Sequence, residues 1–229
     1  MGDFSSTIYT ASVWILPVLL AITLHEAAHG YVALRFGDDT ALRAGRVSLN
    51  PLKHVDPWGT ILIPGFLVFA QAPFLFGYAK PVPVDFGRLG NPRRDMIWVA
   101  GAGPAMNLML ALVSALLLHG AFLLPEPALS WVAKNLINAM TINILLAVFN
   151  LLPLPPLDGG RIAVGLLPDT LARPLARVER YGIFILIGAL FLLPYIGGKL
   201  GMDLNIFSWL IGTPFRFLLE LIATVTGHG

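Results

Sequence analysis

The sequence predicts an all-α membrane protein, a polytopic helical bundle of about five to six transmembrane helices with a short β-hairpin and a re-entrant segment. Three observations predict it. Of the 229 residues, 56% are hydrophobic and only 12% charged, and the mean hydropathy of +0.76 lies far from that of a soluble domain. Long apolar runs approach or exceed the roughly 20 residues that cross a bilayer's hydrocarbon core. The basic residues fall in loops between these runs without forming a stripe, which points to membrane orientation and excludes a nucleic-acid interface.

The first run reaches from Ile8 to Leu34. Met1 to Ser6 contains no positive charge, so the run is expected to remain as a helix rather than leave as a signal peptide. Ala41 to Pro51 shows short alternation with Gly45 and Asn50-Pro51 punctuation, the pattern of a small strand or hairpin. Trp58 to Tyr78 is equally apolar but is broken by Pro64, Gly65, Pro73 and Gly77 and interrupted by Gln71, which favours a re-entrant path over a regular span. Pro81 to Val84 reads as a further extended piece. Met96 to Leu124, Trp131 to Leu152, Tyr181 to Leu193 with its flanks, and Leu204 to Val225 complete the spans. No repeat or long linker divides the chain, so 1–229 reads as one domain, with a core over about 8–160 and accessory helices over about 178–225.

Charge tests the re-entrant reading independently. Arg35, Arg43, Arg46 and Lys53 precede the broken stretch, while Lys80, Arg88, Arg93 and Arg94 follow it. If the stretch turns back, both loops share a side with Arg161, Arg173, Arg177 and Arg180, which gathers most of the fifteen basic residues together. The positive-inside tendency makes that side cytoplasmic and places the N-terminus, with the turns near Pro125 and Gly197, outside.

The chemistry is carried by His25-Glu26-Ala27-Ala28-His29, which lies within the first apolar run. Residues four apart share a helix face, so two imidazoles can hold one metal ion while the intervening Glu26 reaches its water. Nine helical steps separate His25 from Leu34, roughly 14 Å at 1.5 Å per residue, which puts the site below the cytoplasmic membrane surface. Buried ionisable groups are costly in a bilayer and are usually functional.

A catalytic zinc takes three protein ligands. The chain has no cysteine, so the third must be His, Asp or Glu. Glu126 and His119 fall at the outer side and His228 in the tail, whereas Asp158 returns to the cytoplasmic side in Asn150-Leu151-Leu152-Pro153-Leu154-Pro155-Pro156-Leu157-Asp158-Gly159-Gly160. The prolines there stop a regular helix, and the two glycines permit close backbone approach.

With Gly103-Pro104-Ala105-Met106-Asn107 in the next span, these motifs make the chain resemble the site-2 protease family of intramembrane zinc metalloproteases, peptidase family M50. The resemblance implies one Zn2+ per chain held by His25, His29 and Asp158, with Glu26 as catalytic acid and base. It also implies a core of the first, Met96 and Trp131 helices, and hydrolysis of peptide bonds in or near transmembrane segments of membrane-protein substrates. The chain looks like a minimal bacterial or archaeal member of the cell membrane, without the PDZ or nucleotide-sensing domains of other members.

Three further residues have two readings each. Asn150 binds substrate backbone or an oxyanion, or else makes an interhelical hydrogen bond. Asn107 packs helices first and meets substrate second. His54 shapes the entrance or binds zinc at rest, or else is an interfacial loop histidine. Against the protease stand a divalent metal-ion transporter using the same ligands and a noncatalytic membrane scaffold. Glu26 separates them, since only a protease needs it as base.

Overall fold

The computed structural model describes residues 2–62, 66 and 80–229. Helix α1 covers Gly2–Arg35 and a single turn, α2, covers Thr40–Arg43. Then follow α3 at Pro92–Ala121, α4 at Ala128–Asn150 and α5 at Asp158–Leu166. Helix α6 at Asp169–Ile187 runs through a π-helical stretch, Gly188–Leu192, into α7 at Leu193–Leu200. Helix α8 at Ile206–Thr226 comes last. Among the described residues, five segments are long and apolar enough to cross a membrane: Ile8–Arg35, Pro92–Ala121, Ala128–Asn150, Asp169–Leu200 and Ser208–Thr226.

Local chemistry sets the helix ends. Pro92 opens α3, where a missing N–H costs nothing, and Asp95 reaches back to accept the Asn91 N–H at 2.7 Å. Helix α4 stops at Asn150 just before Pro153, Pro155 and Pro156. Gly227, at φ +77°, closes α8 in the left-handed region that favours glycine.

Helices α1, α3 and α4 pack against one another as the expected central trio. Their shared surfaces are built from small buried residues, among them Ala21, Ala27 and Ala33 on α1, Ala100 and Ala111 on α3 and Ala147 on α4. In lipid, where apolar surface gains little by hiding from its neighbours, such small residues let helix backbones approach closely.

The expected hairpin over Ala41 to Pro51 is not formed, and there is no strand among the described residues. Asp38 and Asp39 explain why. The Asp38 carboxylate accepts the Thr40 N–H at 2.9 Å, and Asp39 pairs with Arg43 four residues on at 2.6 Å, so local acceptors capture the segment as a helical turn. Gly45, at φ +67°, then turns the chain, and Arg46 to Leu49 continue without a strand partner. The breakers of the re-entrant stretch, Pro64, Gly65, Gln71, Pro73 and Gly77, lie outside the described residues. Pro57–Leu62, where that stretch starts, is a π-helical turn.

The direction of α8 follows from its contacts. Ile211 packs on the cluster of Leu157 and Leu186, which Phe149 and Leu152 at the end of α4 also join. At the other end, the Thr226 carbonyl accepts from His119 Nε2 at 2.6 Å and His228 Nε2 donates to the Ala115 carbonyl at 2.9 Å. Helix α8 therefore runs alongside α3 in the same direction. Helix α6 begins beside the start of α3, where Arg93 pairs with Asp169 at 2.7 Å. It still touches the α4–α5 turn at Gly182, whose added Cβ would meet the Pro155 carbonyl, and at Leu186, which packs with Leu157. Over this length α6 passes across one end of the central trio.

Candidate metal centre

His25 and His29 lie one turn apart on α1, and the α4–α5 turn brings Asp158 to them at the first residue of α5. Two close approaches hold that turn. A Cβ on Gly159 would stand 2.2 Å from the Leu151 carbonyl oxygen, and one on Gly160 would stand 2.1 Å from the Pro155 nitrogen. The expected use of these glycines for tight backbone passage is therefore met.

The three donor atoms form a nearly equilateral triangle. His25 Nε2 is 3.1 Å from His29 Nε2 and 3.2 Å from Asp158 Oδ2, and His29 Nε2 is 3.4 Å from the same oxygen. All three residues are buried. Donors of a tetrahedral zinc ion with bonds of 2.0–2.1 Å stand about 3.3 Å apart, so the triangle has the right size.

The hydrogen bonds behind the ligands support the same conclusion. His25 Nδ1 donates to Asn107 Oδ1 at 2.5 Å, and His29 Nδ1 donates to the Val99 carbonyl at 2.7 Å. In neutral imidazoles this leaves a bare lone pair on each Nε2. Two lone pairs and the Asp158 Oδ2 atom, which has no hydrogen-bond partner, then converge on one point. Without a cation that arrangement is repulsive, so the residues fit Zn2+.

Asn107 is thus a support for His25, a role added to those its sequence suggested. Its amide nitrogen donates to the Ala21 carbonyl at 3.1 Å and to Asn143 Oδ1 at 2.7 Å, while the Asn143 amide donates to Ala139 at 2.8 Å. This chain fixes which end of Asn107 faces the imidazole. Asn143 escaped sequence reasoning, although an amide in the middle of an apolar helix is itself a signal. Gly103 has an equally direct part, because only a residue without Cβ can lie beneath both imidazoles.

A cavity of about 280 Å³ opens on the triad, and Glu26, Asn150, Pro156 and Arg161 are among the residues that line it. Asn150 donates to the Leu146 carbonyl at 3.0 Å. Glu26 Oε2 accepts the Val82 N–H at 2.8 Å, which brings the Pro81 to Val84 stretch against the site. His54 lies elsewhere: it is buried, its Nε2 donates to the Ser48 carbonyl at 2.9 Å, and it is not among the cavity's lining residues.

Helices of spanning length with a His-His-Asp zinc site in their midst define a membrane metalloenzyme. Residues 124–194 match Peptidase family M50. The chain is 41% identical over 184 residues to YwhC of Bacillus subtilis, covering 79% of this chain and 80% of that protein. It is 30% identical over 203 residues to Rip2 of Mycobacterium tuberculosis, covering 86% and 74%, and 30% identical over 162 residues to MJ0611 of Methanocaldococcus jannaschii, covering 70% and 72%. All three carry the provisional name of zinc metalloprotease. No solved structure matches. The chain belongs to peptidase family M50, the site-2 protease family, and is a zinc metalloprotease.

Proposed function

We propose that the protein is an intramembrane zinc endopeptidase that hydrolyses peptide bonds in or beside the transmembrane segments of other membrane proteins. The observation that carries this reading is the meeting of Asp158, at the start of α5, with His25 and His29 on a helix of spanning length, with Glu26 lining the cavity that opens on the three.

The metal, when bound, supplies Lewis acidity to a substrate carbonyl and acidifies water. The remaining work falls to the chain. The carboxylate of Glu26 takes a proton from the attacking water and returns it to the leaving amine nitrogen. The Asn150 amide, on the cavity wall, holds substrate backbone or the developing oxyanion. A helical substrate hides its amides in internal hydrogen bonds, so a segment must unwind before it enters a cavity of this size.

For orientation, the end of the bundle that carries the basic loops faces the cytoplasm, in a bacterial or archaeal cell membrane. The triad then lies near the cytoplasmic side. Residues 226–228 share the outer side with His119, and the α6–α7 segment stays on the cytoplasmic side, in place of the outward Gly197 turn that alternation of spans suggests.

The test is cleavage of labelled single-span substrates by purified protein in liposomes. Wild type should cleave, whereas Glu26→Gln and chelator-treated protein should not. Equal cleavage by all three samples would end the assignment, and metal flux that survives Glu26→Gln would favour the transporter.

A further inference from the structure

We propose that Lys80 to Asp85 form a strap that positions Glu26, with Asp38 as the strap's anchor; this rests on the reading of Glu26 as proton carrier. Pro81 and Pro83 have no N–H, so Val82 holds the single backbone donor of the Pro81 to Pro83 run. That donor is given to Glu26 Oε2 at 2.8 Å, across 56 positions of sequence. One carboxylate oxygen is thereby held, and the other is left for the cavity that Glu26 lines.

The strap is tied on both sides of this bond. The Lys80 N–H donates to the His54 carbonyl at 3.0 Å, and the Asp85 N–H donates to Asp38 Oδ2 at 2.8 Å. Asp38 is fully buried, and its other oxygen accepts both the N–H and the hydroxyl of Thr40. The Val82 side chain is buried and seated on α1 at Gly30, where an added Cβ would stand 3.1 Å from its Cγ1. His54 thus enters the site's architecture through its backbone, two hydrogen bonds removed from Glu26.

A free glutamate side chain turns about three bonds. A carboxylate held by a fixed backbone donor does not, and placement of a proton carrier to within a fraction of an ångström governs its rate. Asp38 and Val82 act through Glu26, so they are positioning residues.

Hydrogen exchange resolved to single amides tests the contact without reference to catalysis. In zinc-loaded protein the Val82 amide should exchange slowly. Glu26→Ala should speed it at least about tenfold while the Lys80 and Asp85 amides stay unchanged, and Glu26→Gln, which keeps an oxygen acceptor, should preserve its protection. Asp38→Ala should speed both the Asp85 and the Val82 amides. In the cleavage assay, Val82→Pro, which deletes the donor, should lower kcat about tenfold or more with KM within about twofold and one zinc ion retained, while Val82→Ala, which keeps the N–H and loses only side-chain packing, should lower kcat by less. Unchanged Val82 exchange in Glu26→Ala would overturn the contact, and wild-type kcat in Val82→Pro would overturn the positioning role. Loss of the protease reading itself would show as no cleavage by wild type, with the exchange pattern still deciding whether the strap holds Glu26.

Discussion

Gly103 on α3 lies so near His29 on α1 that a Cβ at that position would stand 2.5 Å from His29 Nε2, and equally close to Nε2 of His25. Real Cβ atoms do not approach so closely, so Gly103→Ala must displace one imidazole or part α1 from α3. The expected outcome is loss of zinc, with affinity reduced by at least about a hundredfold because the ligand triangle opens. Competition against a chromophoric chelator measures it. Retained wild-type affinity would show that the helices separate without cost.

Asn107 orients His25 without touching the metal. Removal of such a support typically costs about 10–100-fold in metal affinity. Asn107→Ala should fall in that range, and Asn107→Asp, which keeps an acceptor opposite His25 Nδ1, should lose less. Asn143→Ala should show a smaller loss of the same sign, because it frees the Asn107 amide to rotate. Zinc titration of the three variants in parallel provides the comparison, and equal affinities for all three would remove Asn107 from the centre.

Asp38 should make stability depend on acid pH. Burial opposes ionisation of its carboxyl, but the Thr40 side chain and N–H, the Asp85 N–H and the nearby Arg88 outweigh it and hold the carboxyl below its ordinary value. Because the folded value lies below the unfolded one of about 3.9, the contribution is fully present above that pH and is lost as pH falls through the folded value. Metal-stripped wild type and Asp38→Asn, compared by thermal unfolding in detergent, should therefore differ at neutral pH and converge at strongly acid pH. A gap independent of pH would contradict the ionised state.

The chain contains no cysteine, so single cysteines report sidedness cleanly. Replacements at 45, 88, 170 and 202 should react from one side of sealed vesicles, and those at 125 and 228 from the other. Reaction of 202 together with 125 would make Asp169–Leu200 a spanning helix, and reaction of 45 opposite to 88 would make the broken stretch a crossing.

Local spacing alone accounts for part of the fold and of the candidate site. His25 and His29 share a helix face because 3.6 residues make a turn, and apolar length alone marks out helices α1, α3, α4 and α8. Asp158 was accessible because prolines and glycines punctuate its approach and because the motif order resembles a known family. The hairpin failed for the same kind of reason that made the others succeed: alternation over Ala41 to Pro51 is a local pattern too, but Asp38 and Asp39 offer a stronger local acceptor set.

By itself, then, the sequence determined that the chain lives in a membrane and which histidines can share one metal ion, since hydropathy, residue type and short spacing do not depend on distant partners. Only the tertiary structure decided that Asn107 and Asn143 orient His25, that Gly103 admits both imidazoles, that Val82 holds Glu26 and that α6 crosses the end of the bundle. Those relationships join residues tens of positions apart, and their energies exist only once the helices have packed.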